Sequence, residues 1–389
     1  MAKAGDGETR ARPLREVAAY FARLGIVAFG GPAAHVAMMR RDLVERRGWV
    51  TDAEFVDLLG AVNLIPGPNS TELTMHLGAR RAGWAGLYVG GLAFIGPAVA
   101  IVLALAVAYE QWGATTGGEA ILAGVQPVVL AIVVQAIWGL RRAAVKGPAT
   151  LVVVAVVAGL AVAGTSEIAL ILGAGLTLAF GWLALRSWRR LRRTRAGSHH
   201  GHLGLLLATG TMPKAHDAWE LFLVFLKIGA VLYGSGYVLF SFMQDELVDA
   251  RGWLTQQQLL DAIAVGQFTP GPLFSSATFA GYVVDGWRGA ALATLGIFVP
   301  SFFFVTVTHP ILPWLRRTPW AAPFLDGVNA AAIALMAVVT VTLARDALDG
   351  PFAISLFSVA AIVLVRFSPN TALVVLAGVA AGLLRAAVV

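Results

Sequence analysis

The stretch Arg23–Pro68, RLGIVAFGGPAAHVAMMRRDLVERRGWVTDAEFVDLLGAVNLIPGP, decides the fold, because the chain contains it twice. From Lys227 to Pro272 the second copy reads KIGAVLYGSGYVLFSFMQDELVDARGWLTQQQLLDAIAVGQFTPGP, at a constant offset of 204 positions. That register pairs Arg23 with Lys227, Asp42 with Glu246, Arg47-Gly48-Trp49 with Arg251-Gly252-Trp253, and Pro66-Gly67-Pro68 with Pro270-Gly271-Pro272. Further on, the offset becomes 203 and pairs Gly83-Trp84 with Gly286-Trp287, Pro97 with Pro300, Gly124-Val125-Gln126 with Gly327-Val328-Asn329, and Arg142 with Arg345. Apolar composition alone does not align RGW, PGP and GW in one register, so the chain is an internal duplication. The expected organisation is a polar tail over 1–15, a first repeat over 16–186, a basic linker over 187–216 and a second repeat over 217–389.

The repeats belong in a membrane. Only 13% of the residues are charged, against about 25% in soluble domains. Trp84–Ala108, Ile121–Leu140, Ala290–Thr308 and Ala321–Leu343 are among several apolar runs of the length, about 20 residues, that crosses a bilayer. The net charge of +7 sits mostly at the ends of these runs. It therefore reads as positive-inside bias and not as a nucleic-acid surface. The start of the chain lacks the short apolar core and cleavage site of a signal peptide. There is no cysteine, which excludes disulfides and thiolate metal sites. Neither a P-loop nor a dinucleotide fingerprint is present, so no cofactor, metal or nucleotide-driven step is expected. SHHGH, in the linker, reads as solvated chain.

Charge also predicts orientation. In the first half Arg40, Arg41, Arg46, Arg47, Arg80, Arg81, Arg141 and Arg142 favour the cytoplasm, and the loops EQWGATTGGE and GTSE carry no Lys or Arg. In the second half the pattern reverses: Arg316-Arg317 stands in place of an acidic loop, and MQDELVDAR replaces MMRRDLVERR. The fold class expected is an all-α polytopic membrane protein of two inverted-topology repeats. Each repeat has about five spans plus a broken re-entrant PGP hairpin, or alternatively six crossings. Five crossings place both termini outside, against the basic residues of the N-terminal tail.

Broken helices at membrane depth occur where they are buried or line a cavity, and half-helix N-termini there face anions. Gly67 with Asn69, Ser70 and Thr71, and Gly271 with Ser275 and Ser276, are the two candidate anion-binding ends; a plain kink with hydroxyls bonded back to the backbone is the alternative. Arg23 and Lys227, each in an apolar helix, form a symmetric cationic pair that attracts a dianion or snorkels to headgroups. Gly30, Gly31 and Ser235 at the FGGP and YGSG breaks allow close backbone approach or tight packing. Asn63 and Gln267, each three residues before PGP, line a cavity or bond between helices. His35, Asp42, Glu72 and His76 are the titratable groups available for proton coupling. Glu72 and His76 share a helix face and have no counterpart in the second half. Asp57 and Asp261, on amphipathic stretches, are expected to face solvent.

The paired pattern FGGPxxH…RGW…PGP resembles the chromate ion transporter family in its long two-domain form, over nearly the whole chain. The resemblance implies chromate efflux across the cell inner membrane, coupled to proton entry, and chromate resistance. Sulfate, of the same charge and shape, is a competing ligand. Asn63 stands where the family commonly has glutamine, and Tyr233-Gly234-Ser235-Gly236 departs from its usual second break. The partners expected are chromate or sulfate and the lipid bilayer, with a homodimer as an option and no nucleic acid. Competing readings are sulfate uptake, a passive anion channel and an intramembrane enzyme.

Overall fold

The computed structural model describes residues 5–29, 31–63, 65–191, 218–233, 236, 238–315, 320–367 and 369–388, and contains no strand among them. The first repeat supplies α1 (Gly5–Val27), α2 (Gly31–Met39), α3 (Asp52–Val62), α4 (Asn69–Trp112), α5 (Thr116–Ala144), α6 (Pro148–Val162) and α7 (Glu167–Leu191). The second supplies the matching series: α8 (Ala218–Val231), α9 (Val238–Met243), α10 (Gln256–Phe268), α11 (Ser276–Leu315), α12 (Ala321–Ala347), α13 (Gly350–Phe367) and α14 (Thr371–Val388). A π-helical turn extends α2 over Arg40–Arg46 and α9 over Gln244–Asp249. Seven helices among the described residues are long and apolar enough to cross a membrane, namely α4, α5, α7, α11, α12, α13 and α14. The 15-residue α6 is the short counterpart of α13.

α4 is two helices joined at a fold. Ala82 and Gly83 leave helical geometry, Gly83 at φ +64°, a conformation that glycine adopts at little cost. The chain doubles back there, bringing Gly78 against the backbone of Gly86 and Gly90 against the Thr74 carbonyl. Residues 69–81 thus return antiparallel to the span that follows, and with α3 they form the expected PGP hairpin. α11 repeats the device at Asp285 and Gly286, with Gly281 against Gly289. The hairpin entrances are fixed by capping boxes. The Thr51 amide donates to Glu54 Oε2 (2.9 Å) and the Glu54 amide to Thr51 Oγ1 (3.2 Å). Thr255 and Gln258 do the same at α10. This accounts for the RGW-x-T signature: a turn, an aromatic anchor and a helix cap.

The structure adds a second hairpin to each repeat. α1 ends at Val27 and α2 turns back alongside it, so that the Arg47 guanidinium lies 5.0 Å from the centre of the Tyr20 ring and Trp49 packs edge-on to Tyr20 and Phe21. Gly25 meets the Phe94 carbonyl, halfway along the α4 span. At the other end of α1, Glu16 pairs with Arg81 at 2.5 Å, next to the α4 fold. The start of α1 therefore lies on the face that carries Arg80 and Arg81. This corrects the expectation of an N-terminus on the opposite face, and the basic tail no longer conflicts with the other charges.

The repeats meet through α4 and α11, which cross antiparallel. Trp84 packs edge-on to His309, Tyr88 Oη lies 3.1 Å from Thr306 Oγ1, and Gly91 meets Phe302. Because α4 and α11 are corresponding elements, the pseudo-two-fold axis relating the repeats is perpendicular to them. Elsewhere the halves join through small residues, as membrane helices do. Gly124 of α5 abuts Gly378 of α14, and Gly327 of α12 abuts Ala174 of α7.

Candidate functional site

The four hairpin tips converge near the middle of the spans and exchange partners. The Gly67 amide donates to the Leu232 carbonyl at 2.7 Å, and the Gly271 amide donates to the Ala28 carbonyl at 3.0 Å. Both pairs obey the 204-residue offset. Each PGP tip therefore satisfies a carbonyl left orphaned where the first helix of the other repeat breaks. His35 is buried in this arrangement. Its Nε2 lies 3.1 Å from the same Ala28 carbonyl, and its ring stands edge-on to Phe94. The structure thus places His35 as a brace for the break. Gly31 opens α2 at φ +73°, whereas Gly30, Ser235 and the SHHGH stretch of the linker lie outside the described residues.

Past each tip a half-helix begins. At the first, Thr71 and Glu72 donate their amides to the Pro68 carbonyl (2.8 and 3.1 Å), and Asn69 and Ser70 supply the amides that a helix start leaves outside its own ladder. Asn69 Nδ2 donates to Asn63 Oδ1 at 2.6 Å, tying the two arms of the hairpin together. Ser70 and Thr71 are buried, and Thr71 Oγ1 has no hydrogen-bond partner among the described residues. At the second tip Ser275 Oγ donates to the Pro272 carbonyl (2.8 Å) and Ser276 Oγ to that of Leu273 (2.9 Å). Those two hydroxyls are turned onto the backbone. Gln267 is buried beside them, its Nε2 without a partner among the described residues.

Glu72 makes the two tips chemically different. It is completely buried, and neither carboxyl oxygen has a hydrogen-bond partner among the described residues. A Cβ on Gly67 would run into Glu72 Oε1 and come within 2.7 Å of Ser301 Oγ, so acid and hydroxyl both press on the tip. Tyr233, from the break in the other repeat, is close enough to interact electrostatically with Glu72. The corresponding positions in the second repeat are Ser276 and, for Ser301, Ala98. An unpaired carboxylate at such a place costs several kcal/mol. One turn further on, buried His76 places its Nδ1 3.0 Å from Nδ1 of His309 on α11. Sequence reasoning missed His309, because its counterpart is Ala106 and its pairing depends on the antiparallel crossing of α4 and α11. It also missed Ser301 and Tyr233.

The remaining candidates lie elsewhere. Arg23 is exposed and lines a cavity of about 170 Å³ with Tyr20, Arg41, Asp42, Arg46 and Arg47. Asp42 pairs there with Arg41 (3.3 Å) and Arg46 (3.4 Å). Lys227 forms an ion pair with Glu246, which also holds Arg251 at 2.6 Å. The two cations are therefore not equivalent: Arg23 joins a basic cluster, and Lys227 shares the Glu246 carboxylate with Arg251. At the far end of the α4 span a cavity of about 610 Å³ is lined by Glu110, Glu119, Gln126, Asp261 and Tyr282. Asp261, expected to face solvent, is completely buried. It accepts from Tyr109 Oη (2.8 Å) and Gln126 Nε2 (2.9 Å), partners brought by α4 and α5 of the other repeat.

The comparisons with known proteins agree with the duplication. The family model described as "Chromate transporter" matches residues 15–179 and again 219–383. The chain is 34% identical to the chromate transport protein of Cupriavidus metallidurans, over 94% of this chain and 92% of that one. It is 33% identical to a probable chromate transport protein of Synechococcus elongatus, over 86% of each. The chromate transport protein of Pseudomonas aeruginosa is also 33% identical, over 88% of this chain and 85% of its own. No solved structure matches. With one family model matching twice, over most of the chain, and relatives above 30% identity along most of its length, the chain belongs to the chromate transporter family.

Proposed function

We propose that this protein exports chromate across the inner membrane as a secondary transporter, and that the crossed PGP tips bind the dianion. The observation that carries this reading is the reciprocal pair Gly67–Leu232 and Gly271–Ala28, which holds two buried half-helix starts together at mid-span. Relatives named as chromate transport proteins support the substrate. Sulfate, with the same charge and shape, is the expected competitor. The antiparallel crossing of α4 and α11 supports repeats inverted across the bilayer. The face bearing Arg80, Arg81 and the Arg23 cavity is then cytoplasmic. That face gathers anions, and the acidic cavity around Glu110 and Asp261 disfavours their entry from the opposite side. This polarity supports export.

Glu72 is the proton-carrying group in this reading. Ionised, it repels a dianion at the Gly67 tip; neutral, it admits one. Proton and dianion therefore bind together, in place of the opposing proton entry that the resemblance implies. A dianion leaving with one proton carries one net negative charge, and an inside-negative potential drives it outward with about 2.3 kcal/mol per 100 mV. The test is chromate accumulation by cells expressing the chain. The export reading expects lower internal chromate and greater tolerance. Higher accumulation with greater sensitivity would instead establish an uptake system.

A further inference from the structure

We infer that His309 is the outer member of a proton path, His309–His76–Glu72, connecting the buried acid to the face that carries Arg80. The inference rests on Glu72 being the proton-carrying group.

Three features build the path. The two Nδ1 atoms are 3.0 Å apart, so one must donate and the other accept, and a single proton lies between the rings. The pair also grades from inside to outside: Glu72 and His76 are completely buried, and His309 is half-buried. Finally, the two imidazoles come from different repeats, so the path exists only where α4 and α11 cross. Trp84, edge-on to His309 with ring centroids 5.6 Å apart, covers the junction. Among the described residues, the titratable and charged groups seen around the path include Arg80, which acts on His309 and pairs with Glu54 at 3.7 Å, and Tyr233 beside Glu72. The mouth is thus held by a cation and its carboxylate. Met75, Leu87 and Val305 pack as a small apolar cluster next to the crossing.

The transfer balances without redox change. A proton arrives at Nε2 of His309, the shared proton moves from His309 Nδ1 to His76 Nδ1, and the Nε2 proton of His76 passes to the Glu72 carboxylate once that side chain turns from the Gly67 tip toward His76, one turn along the same helix, because the two groups are not hydrogen-bonded to each other as they stand. One proton enters, one reaches the acid, and both rings end neutral in the opposite tautomer. Resetting needs only ring flips or the same steps reversed.

The test uses the full chain in proteoliposomes, with chromate-dependent proton movement followed by an entrapped pH dye and chromate binding measured at equilibrium. His309→Ala is expected to slow proton movement about 100-fold while leaving equilibrium chromate binding unchanged, and imidazole added on the Arg80 face is expected to restore the rate. His309→Gln, which keeps the ring's polarity and much of its volume, serves if the alanine variant does not insert, and is expected to be equally slow. Wild-type proton movement in the His309 variants, with Glu72→Gln inactive, overturns the path and leaves the role of Glu72 standing. Slow movement without imidazole rescue and with weakened chromate binding also overturns it, as the mark of a packing defect. Undiminished proton movement in Glu72→Gln overturns the underlying reading and the path together.

Discussion

The Gly67 amide donates to the Leu232 carbonyl across the boundary between the repeats, and the symmetry-related bond from Gly271 to Ala28 closes the pair. Neither repeat can complete its own broken helix. A side chain at either glycine is therefore expected to disturb both halves. At Gly67, φ is +137° and the new Cβ meets Glu72 and Ser301; at Gly271, φ is +96° and it comes within 2.8 Å of Ala98 Cβ. Gly67→Ala and Gly271→Ala should each cost about 1–3 kcal/mol in backbone strain, read as a lower melting temperature in detergent. Gly67→Ala should also abolish chromate flux, because it displaces the acid as well as the tip.

Glu72 ties chromate affinity to pH. With the wild-type chain, chromate should bind more tightly as pH falls, since protonation removes a negative charge beside the tip. In Glu72→Gln the affinity should stay at the tight limit across the same range, as read by equilibrium binding of chromate or sulfate. A wild-type pH profile in Glu72→Gln would remove the acid from the site.

The two symmetry-related cations should behave differently. Arg23→Ala takes one guanidinium from a basic cavity that also contains Arg41, Arg46 and Arg47. It should raise the KM for chromate several-fold with little change in melting temperature, and the effect should shrink at high salt. Lys227→Ala removes one of the two cations held by Glu246 and leaves Arg251 in place. The expected loss is about 1 kcal/mol of stability or less, given the exposure of Lys227, with KM unchanged. Equal effects of both substitutions on KM would restore the symmetric cationic pair read from the sequence.

Asp261 is held by one hydrogen bond from each of two helices of the other repeat. Tyr109→Phe and Gln126→Leu should each destabilise the protein by about 1–3 kcal/mol, since each deprives a buried carboxylate of a donor. The double variant should lose more than the sum of the single ones, because Asp261 then has neither donor. Thermal melts of the four proteins check this as a double-mutant cycle.

The duplication and the PGP hairpin were legible because both are local in sequence. Gly83 and Gly286 recur at the fold of each hairpin, and Thr51 and Thr255 at each helix cap. The second hairpin was harder to read. The helix before the FGGP break reads as a crossing, and only the contact of Arg47 and Trp49 with Tyr20 reveals that the chain turns back. Long-range pairing accounts for the other differences. Asp261 sits in QQQLLDAIAV, which reads as amphipathic, and its partners lie in another repeat. His309 has no repeat counterpart and meets His76 only through the antiparallel crossing. Arg23 and Lys227 share a register but not an environment, because Asp42 is engaged by Arg41 and Arg46, whereas Glu246 is engaged by Lys227 itself.

The most direct test is chromate efflux from proteoliposomes under an imposed, inside-negative potassium diffusion potential, with the Arg80 face of the protein inward. The account predicts that chromate leaves against its own concentration gradient, that protons leave with it, and that Gly67→Ala stops both. Chromate movement that only ever runs down its gradient, or flux that persists in Gly67→Ala, would contradict transport through the crossed tips.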